Sequence, residues 1–312
     1  TINDSLKRLI LPSIENEIRN DLFEKAEDAS IIVFKKNLKS LLLYPPLKNK
    51  TVLGFDPGFR TGCKYAIVNK NGVPGEVGVV YLTASSDSNI EKARQQIINI
   101  LKNNDIDYIA LGNGTASRES EKELSQIIKD NNFKTKIFIV NESGASVYSA
   151  SKLAEQEFPN LPVEKRSAIS LARRIQDPLS ELVKIDPKAI GVGQYQHDMN
   201  QTKLSDALNG VVEDAVNSVG VNLNNASISL LNYVSGINKT IAKNIYEYLK
   251  ENKEFRTRND LKKVSKLGDK AFEQCAGFLR IYNGLEPLDS TSIHPESYPV
   301  AKAILNKCGI DL

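Results

Sequence analysis

Two carboxylates directly follow apolar stretches that read as strands, an arrangement typical of enzymes that cleave phosphodiesters with metal ions. Asp56 follows residues 52–55, and Glu142 follows residues 137–140. Two-metal hydrolysis requires carboxylates that hold two cations about 3.5–4 Å apart across the scissile phosphate. A third ligand is needed at the start of the helix predicted over residues 164–175, where the sequence has Arg166, whose charge repels a divalent ion. The acidic set is therefore predicted to be incomplete.

Two interpretations of these carboxylates stay open. In the structural one, Asp56 caps a turn and Glu142 caps the helix predicted over residues 144–158. In the catalytic one, the chain is a metal-dependent nuclease or Holliday-junction resolvase that uses Asp56 and Glu142 with Mg²⁺ or Mn²⁺. Because Arg166 replaces an acid, we favour a vestigial site, assign no catalytic residue, metal ligand or cofactor, and do not expect an enzyme.

A second group of residues is suited to binding phosphate. Twice between residues 226 and 282 a glycine-containing turn, at Gly236 and at Gly268, leads into a predicted helix. The backbone amides of such a turn and the positive end of the following helix dipole attract phosphate, and neighbouring lysines add charge. The candidate nucleic-acid-binding residues are Gly236, Asn238, Lys239, Lys243, Lys266, Gly268 and Lys270.

The charge of this region favours nucleic acid as its partner. Residues 226–282 contain eleven basic and six acidic side chains, a net charge of +5, against +3 for the whole chain. Contacts with phosphate carry little sequence information, so we predict nonspecific binding of DNA or RNA. The alternative is a structural pair of helical hairpins with a solvated basic face.

Other chemistries find little support in the sequence. Neither a GxxxxGK[ST] nor a GxGxxG phosphate loop is present, which argues against ATP or NAD binding. His197-Asp198 has no neighbouring nucleophile and is assigned to the start of a helix. Cys63, Cys275 and Cys308 lack the spacing of a metal site or a disulfide scaffold, which fits a reducing compartment. No apolar run approaches the roughly 20 residues that span a bilayer.

The carboxylates depend on a predicted α/β sheet. Three strands come first, and helices and strands then alternate, which predicts a mixed five-stranded sheet with the element order of the ribonuclease H-like fold. The strands are predicted over residues 51–55, 64–69, 77–83, 108–112 and 136–140, and the helices over 89–102, 117–130, 144–158 and 164–175.

The rest of the chain is predicted to be helical. A short helix over residues 4–11 ends at Pro12, and a long helix follows over 13–43; near the other end, a helix is predicted over 269–280. The predicted segments are 1–49, a long-helix scaffold; 50–178, the ribonuclease H-like domain; 179–225, a helical bridge; 226–282, a tandem helix-hairpin-helix domain; and 283–312, a C-terminal linker and helix.

Long motifs throughout the chain resemble those of the Tex family of bacterial transcription accessory proteins. They are GFDPGFRTG at 54–62, ALGNGTASRE at 110–119, VNESGASVYSAS at 140–151, RRIQDPL at 173–179, VKIDPK at 183–188, GVGQYQHD at 191–198 and FEQCAGFLR at 272–280. The resemblance implies a YqgF-type, ribonuclease H-like domain at about 50–178, followed by paired helix-hairpin-helix modules in a helical scaffold.

The resemblance also implies function. The family is cytoplasmic, binds nucleic acid with little sequence preference and is related to a eukaryotic transcription elongation factor. Its members begin with a further helical domain and continue into an OB-fold RNA-binding domain, so we expect a central fragment that leads to a missing C-terminal domain. We therefore predict a monomeric nucleic-acid-binding scaffold that acts in transcription, with DNA or RNA and the transcription machinery as partners and no membrane contact.

Overall fold

A mixed five-stranded sheet and a series of helices make up the residues that the computed structural model describes, 2–83 and 87–310. The strands are β1 (Val52–Asp56), β2 (Cys63–Val68), β3 (Pro74–Val80), β4 (Tyr108–Gly112), β5 (Lys136–Val140), β6 (Val221–Asn222) and β7 (Leu279–Arg280). Residue 1 and residues 311–312 of the predicted terminal segments lie outside the described residues.

The helices surround this sheet and continue beyond it. They are α1 (Ile2–Ser5), α2 (Leu11–Leu42), α3 (Asp87–Asn103), α4 (Ser117–Asp130), α5 (Ala145–Ser149), α6 (Lys152–Glu157), α7 (Val163–Gln176), α8 (Pro178–Leu182), α9 (Gln201–Val219), α10 (Ile228–Leu231), α11 (Lys239–Asn252), α12 (Asp269–Cys275) and α13 (Tyr298–Lys307). Short 3₁₀ turns cover Pro187–Ile190, Gln196–Asp198, Arg258–Lys263, Ala276–Phe278, Pro287–Ser290 and Pro295–Ser297.

The sheet has the strand order β3-β2-β1-β4-β5, which confirms the predicted mixed five-stranded sheet. β1 pairs antiparallel with β2 and parallel with β4. Leu53 and Phe55 pack on the α3 and α4 side, while Val52 packs on the α7 side, as the alternation of a strand requires. A Cβ at Gly54 would collide with the carbonyl oxygen of Ala168, so α7 lies directly against β1.

The N-terminal helix runs from Ile2 to Leu42, and the predicted break at Pro12 is wrong. A proline lacks an N–H, and its ring clashes with the carbonyl four residues earlier. A π-helical turn over Leu6–Ile10, in which the Leu11 N–H bonds to the Leu6 carbonyl, widens the helix just before the proline. The helix therefore continues through Pro12.

Only the C-terminal half of α2 packs against the rest of the chain. Leu38 and Leu42 are fully buried in a core shared with α9. Ile14, Ile18 and Leu22, which belong to the predicted apolar stripe, are half exposed. The stripe thus extends beyond the part of the helix that has a partner among the described residues.

Two predicted helices are shorter in the structure. The helix predicted over 144–158 is divided into α5 and α6, because Ser151 accepts the Ala154 N–H and starts a new helix. The helix predicted over 269–280 ends at Cys275, and the chain then forms β7, which pairs with β6. Within the described ranges, no helix is long and apolar enough to cross a bilayer.

Candidate functional site

The first predicted site lies at the carboxyl end of β1. Asp56 is the last residue of that strand and is half-buried. The hydroxyl of Ser167, in the second turn of α7, donates to Asp56 Oδ2 at 2.5 Å. The close packing of α7 on Gly54 brings this hydroxyl to the strand end. Asp56 is therefore bonded to a neutral side chain of α7.

Arg166 does not face Asp56. Its side chain is buried and donates from Nε to the carbonyl of Leu161 and from Nη1 to the carbonyl of Ser149, both at 3.1 Å. Successive helix residues point about 100° apart, so an offset of one residue changes the face of the helix. Ser167 occupies the place beside Asp56 that the sequence analysis gave to Arg166.

Glu142 lies in a cradle formed by the turn after β4. A Cβ at Gly112 would come within 2.7 Å of Glu142 Oε2, and one at Gly114 would collide with the carboxylate. The Asn113 amide oxygen accepts the Glu142 N–H at 3.0 Å. The Glu142 side chain does not cap α5, whose N-cap is Gly144, so the predicted capping role is wrong. The two glycines make room for the carboxylate.

The surroundings of Glu142 hold charges of both signs. Burial and, next, the charge of Asp56 raise the pKa of Glu142, while the Gly114 amide and the charges of Arg174 and Lys64 act in the opposite direction. Arg174 is held by Nη1 bonds to the carbonyls of Asn141 and Ser143. The carboxylate oxygen Oε2 is buried without a hydrogen-bond partner.

The side chains at the strand ends differ from the acidic set that a two-metal centre uses. Two carboxylates and one hydroxyl line the strand ends, and Lys64 and Arg174 already place positive charge beside Glu142. In the part of the chain that the structure describes, no group of three or more His, Cys, Asp or Glu side chains could hold a metal ion. The side chain of α7 beside Asp56 is a neutral hydroxyl, whereas two-metal hydrolysis uses a carboxylate at that position.

The second predicted site consists of two equivalent turns, 30 residues apart. We call Val234–Asn238 the first hairpin turn and Val264–Gly268 the second. In the first, Ile237 N–H bonds to the Val234 carbonyl; in the second, Leu267 N–H bonds to the Val264 carbonyl. Each turn leads into a helix, α11 or α12. The internal repeat predicted from the sequence is therefore present in the hydrogen bonding.

The two hairpin turns also support each other. Asn244, on α11, donates its side-chain amide to the carbonyl of Ser265 in the second turn at 2.7 Å. Its equivalent on α12 is Gln274, and a Cβ at Gly236 in the first turn would lie 2.6 Å from the Cβ of Gln274. Each turn thus rests on the helix that follows the other turn, which fixes the spacing of the two helix N-termini.

The helix N-termini differ in what they offer a ligand. Asn238 caps α11 by accepting the Ile241 N–H, whereas Gly268 begins α12 without a side chain to cap it. Lys239, Lys266 and Lys270 are exposed at or beside the turns, and Lys266 has a φ of 65°.

Lys243 is oriented differently from the other predicted lysines. It forms an exposed ion pair of 3.6 Å with Glu247, one turn further along α11.

Two arginines counted in the basic excess are interior residues. Arg258 and Arg280 are 1% and 6% exposed. Arg258 donates to the carbonyls of Leu279, Ile293 and Thr291 and to the Tyr298 hydroxyl, and its Nε lies 3.9 Å from Asp289. Without these two arginines, residues 226–282 contain nine basic and six acidic side chains. Composition alone gives no signal for this role.

Comparison with known proteins defines the family. The model of the Tex protein YqgF-like domain matches residues 50–176, and a helix-hairpin-helix motif matches 216–280. The chain is 53% identical over 310 residues to "Uncharacterized protein YdcI" of Bacillus subtilis, covering 99% of this chain and 43% of that protein. It is 48% identical over 312 residues to "Transcriptional accessory protein Tex" of Neisseria gonorrhoeae, covering 99% and 40%. The chain belongs to the Tex family.

The Tex relationship extends beyond the two predicted sites. "Protein tex" of Bordetella pertussis is 50% identical over 304 residues, which is 97% of this chain and 38% of that protein. The chain thus spans about two fifths of the length of these Tex relatives. A further helix-hairpin-helix domain model matches residues 286–312, which the sequence analysis treated as linker and helix. The hydrogen bond from Arg258 to the Tyr298 hydroxyl connects this segment to the preceding helix-hairpin-helix region.

Proposed function

We propose that this chain is a nucleic-acid-binding scaffold that grips the phosphate backbone with its two hairpin turns. The observation that carries the proposal is the reciprocal packing of the turns, through Asn244 on Ser265 and Gly236 on Gln274. This packing holds two helix N-termini and their exposed lysines in a fixed relation, as binding of two phosphates on one backbone requires.

The proposed binding has little sequence preference. Backbone amides and lysine ammonium groups recognise phosphate oxygens, which are the same at every nucleotide. Lys266 in the second hairpin turn supplies that kind of contact, as do Lys270 and Lys239, which follow the second and first turns at the starts of α12 and α11. The name of the Neisseria relative, a transcriptional accessory protein, supports a role of this scaffold in transcription.

We further propose that the YqgF-like domain keeps the shape of a nuclease without its hydrolytic chemistry. Ser167 stands beside Asp56 in place of a third acid, and Arg174 and Lys64 supply positive charge at Glu142. This arrangement supports a structural domain in which a hydroxyl and two protein cations stand beside the carboxylates, where a nuclease would have a third acid and metal ions.

A binding titration tests the hairpin proposal. In Lys266→Glu/Lys270→Glu, repulsion of phosphate should lower the affinity for labelled duplex DNA and for RNA at low salt by about tenfold or more. The matched control is Lys129→Glu/Lys134→Glu, which reverses two exposed lysines of the YqgF-like domain. Equal affinities of the two double variants would remove the hairpin turns from the proposal.

A metal-dependent nuclease is the second candidate function, because the structure brings Asp56 close enough to Glu142 for the charge of Asp56 to help raise the pKa of Glu142. A cleavage assay with Mg²⁺ or Mn²⁺ on branched, duplex and single-stranded substrates decides between the two. We expect no cleavage. Cleavage by the wild type that disappears in Asp56→Asn would establish the nuclease instead.

A further inference from the structure

A cleft of about 770 Å³ opens at the edge of the YqgF-like domain, away from the hairpin turns in the sequence. The turn after β1 forms one side, the segment after β3 another, and the first half of α3 the third. The lining side chains are two aromatic rings, two cations, and small or polar groups: Phe59, Tyr81, Arg60, Lys92, Thr83, Asn89, Ala93 and Gln96.

The two rings are exposed, and the backbone segments that carry them are tied together. Phe59 is 46% exposed and Tyr81 is 50% exposed. Gly62 lets the ring of Tyr81 approach the backbone, since a Cβ there would lie 2.9 Å from Tyr81 Cε1. The Thr83 hydroxyl donates to the Gly58 carbonyl at 3.1 Å and ties the β3 segment to the β1 turn. The ring of Tyr81, packed against the backbone, offers a flat surface that loses little further conformational freedom on binding.

Positive charge accompanies the rings. Arg60 and Lys92 are exposed and form no ion pair with any side chain that the structure describes. The neighbouring Glu91 lies 3.9 Å from Arg94, which also pairs with Glu123 at 2.7 Å. The cleft therefore combines aromatic faces with cations at its rim, which is the composition that binds unpaired bases and their phosphates.

We propose that this cleft binds single-stranded nucleic acid, with bases stacked on Phe59 and Tyr81 and phosphates at Arg60 and Lys92. A duplex keeps its bases stacked on one another, so it cannot use the rings, and the cleft selects single strands. The proposal adds a second surface, on another domain, to the nucleic-acid binding proposed for the hairpin turns, and it shares no residue with them.

Titration of labelled oligouridylate and oligothymidylate of about 15 nucleotides tests the proposal. Phe59→Ala should weaken single-strand binding about tenfold, and Phe59→Ala/Tyr81→Ala more, while Phe59→Tyr/Tyr81→Phe keeps the affinity. Tyr44→Ala removes an equally exposed tyrosine, 55% exposed, as the control and should have no effect. The two oligonucleotides distinguish RNA from DNA as the source of the strand.

The same titration separates this inference from the hairpin proposal. If the aromatic variants lose single-strand binding and Lys266→Glu/Lys270→Glu keeps duplex binding, the cleft stands and the hairpin proposal fails. If Phe59→Ala and Phe59→Ala/Tyr81→Ala both bind oligonucleotides as the wild type does, the cleft proposal is overturned. Tyr81 packs on Gly62, so its loss can destabilise the fold. If Phe59→Ala/Tyr81→Ala unfolds at a lower temperature than the wild type, the result for Phe59→Ala alone decides the test.

Discussion

At the carboxyl end of β1, the charged side chains have polar or charged neighbours from the protein itself. At the hairpin turns, the charged side chains face solvent. Asp56 accepts from Ser167, and Glu142 lies among glycines with Arg174 and Lys64 near it. Lys239, Lys266 and Lys270 are exposed and form no ion pair with any residue that the structure describes. Protein cations beside a carboxylate weaken its attraction for a metal ion, whereas an exposed lysine next to a helix N-terminus is free to attract phosphate.

The same contrast holds within the helix-hairpin-helix region. Arg258 is buried and bonded to three carbonyls, while Arg256, two residues earlier, is exposed and 3.0 Å from Glu254. Net charge alone does not distinguish a residue that builds the domain from one that meets nucleic acid. The predictions below test which cations and carboxylates belong to each class, in order of decreasing effect.

Arg258→Met should cause the largest change. It leaves three carbonyls and the buried Asp289 without their cation, and breaking a buried pair in this way costs about 3–5 kcal/mol of unfolding free energy. Urea unfolding measures the loss. Arg256→Met, which removes an exposed pair, is the control and should cost less than about 1 kcal/mol. If both variants unfold alike, Arg258 does not anchor the domain.

Gly236→Ala should destabilise by about 2 kcal/mol. Gly236 has a φ of 82°, where a Cβ is disfavoured, and the new atom would lie 2.6 Å from Gln274 Cβ. At Gly268, φ is −82° and no atom lies within 4 Å of an added Cβ, so Gly268→Ala should cost less than about 1 kcal/mol. Thermal unfolding compares the two. Equal losses would contradict the reciprocal packing of the turns.

Glu142→Gln should produce the smallest change, and one that depends on pH. The folded pKa of Glu142 is raised above its ordinary value of 4.5, so ionisation disfavours the folded state. That cost is fully present above the folded pKa and absent well below the unfolded value. Glu142→Gln should therefore unfold at a higher temperature than the wild type at about pH 7 and match it below about pH 4.5.

Glu121→Gln replaces an exposed carboxylate of α4 and serves as the control, with no change at either pH. A lower unfolding temperature of Glu142→Gln at neutral pH would show that the ionised carboxylate stabilises the fold, which would contradict a raised pKa of Glu142.

The sheet could be predicted from the sequence, because short apolar runs bounded by glycine-containing turns are a local signal for strands. The bounds of β4, β5 and α4 agree with the sequence analysis, but β3 begins three residues earlier than predicted. The direction in which a helical side chain points is harder to predict from the sequence. Whether Arg166 or Ser167 faces Asp56 depends on helix rotation, which Gly54 sets by contact with Ala168.

Burial of charge is equally hidden from the sequence. Arg258 and Arg280 look like their exposed neighbours, and only the carbonyls that the folded chain brings to them make them interior residues. At Pro12 a strong local signal predicts the end of a helix, but the widened π-helical turn before it lets the helix continue. Local signals thus predict elements better than they predict which surface of an element is used.

The dependence of duplex DNA affinity on salt tests the central claim most directly. For Lys266→Ala/Lys270→Ala, loss of two phosphate contacts should flatten the slope of log affinity against log salt by about 1.8. For Asp56→Asn/Glu142→Gln, the slope should equal that of the wild type. An unchanged slope in the lysine variant, or an altered one in the carboxylate variant, would contradict the assignment of nucleic-acid binding to the hairpin turns.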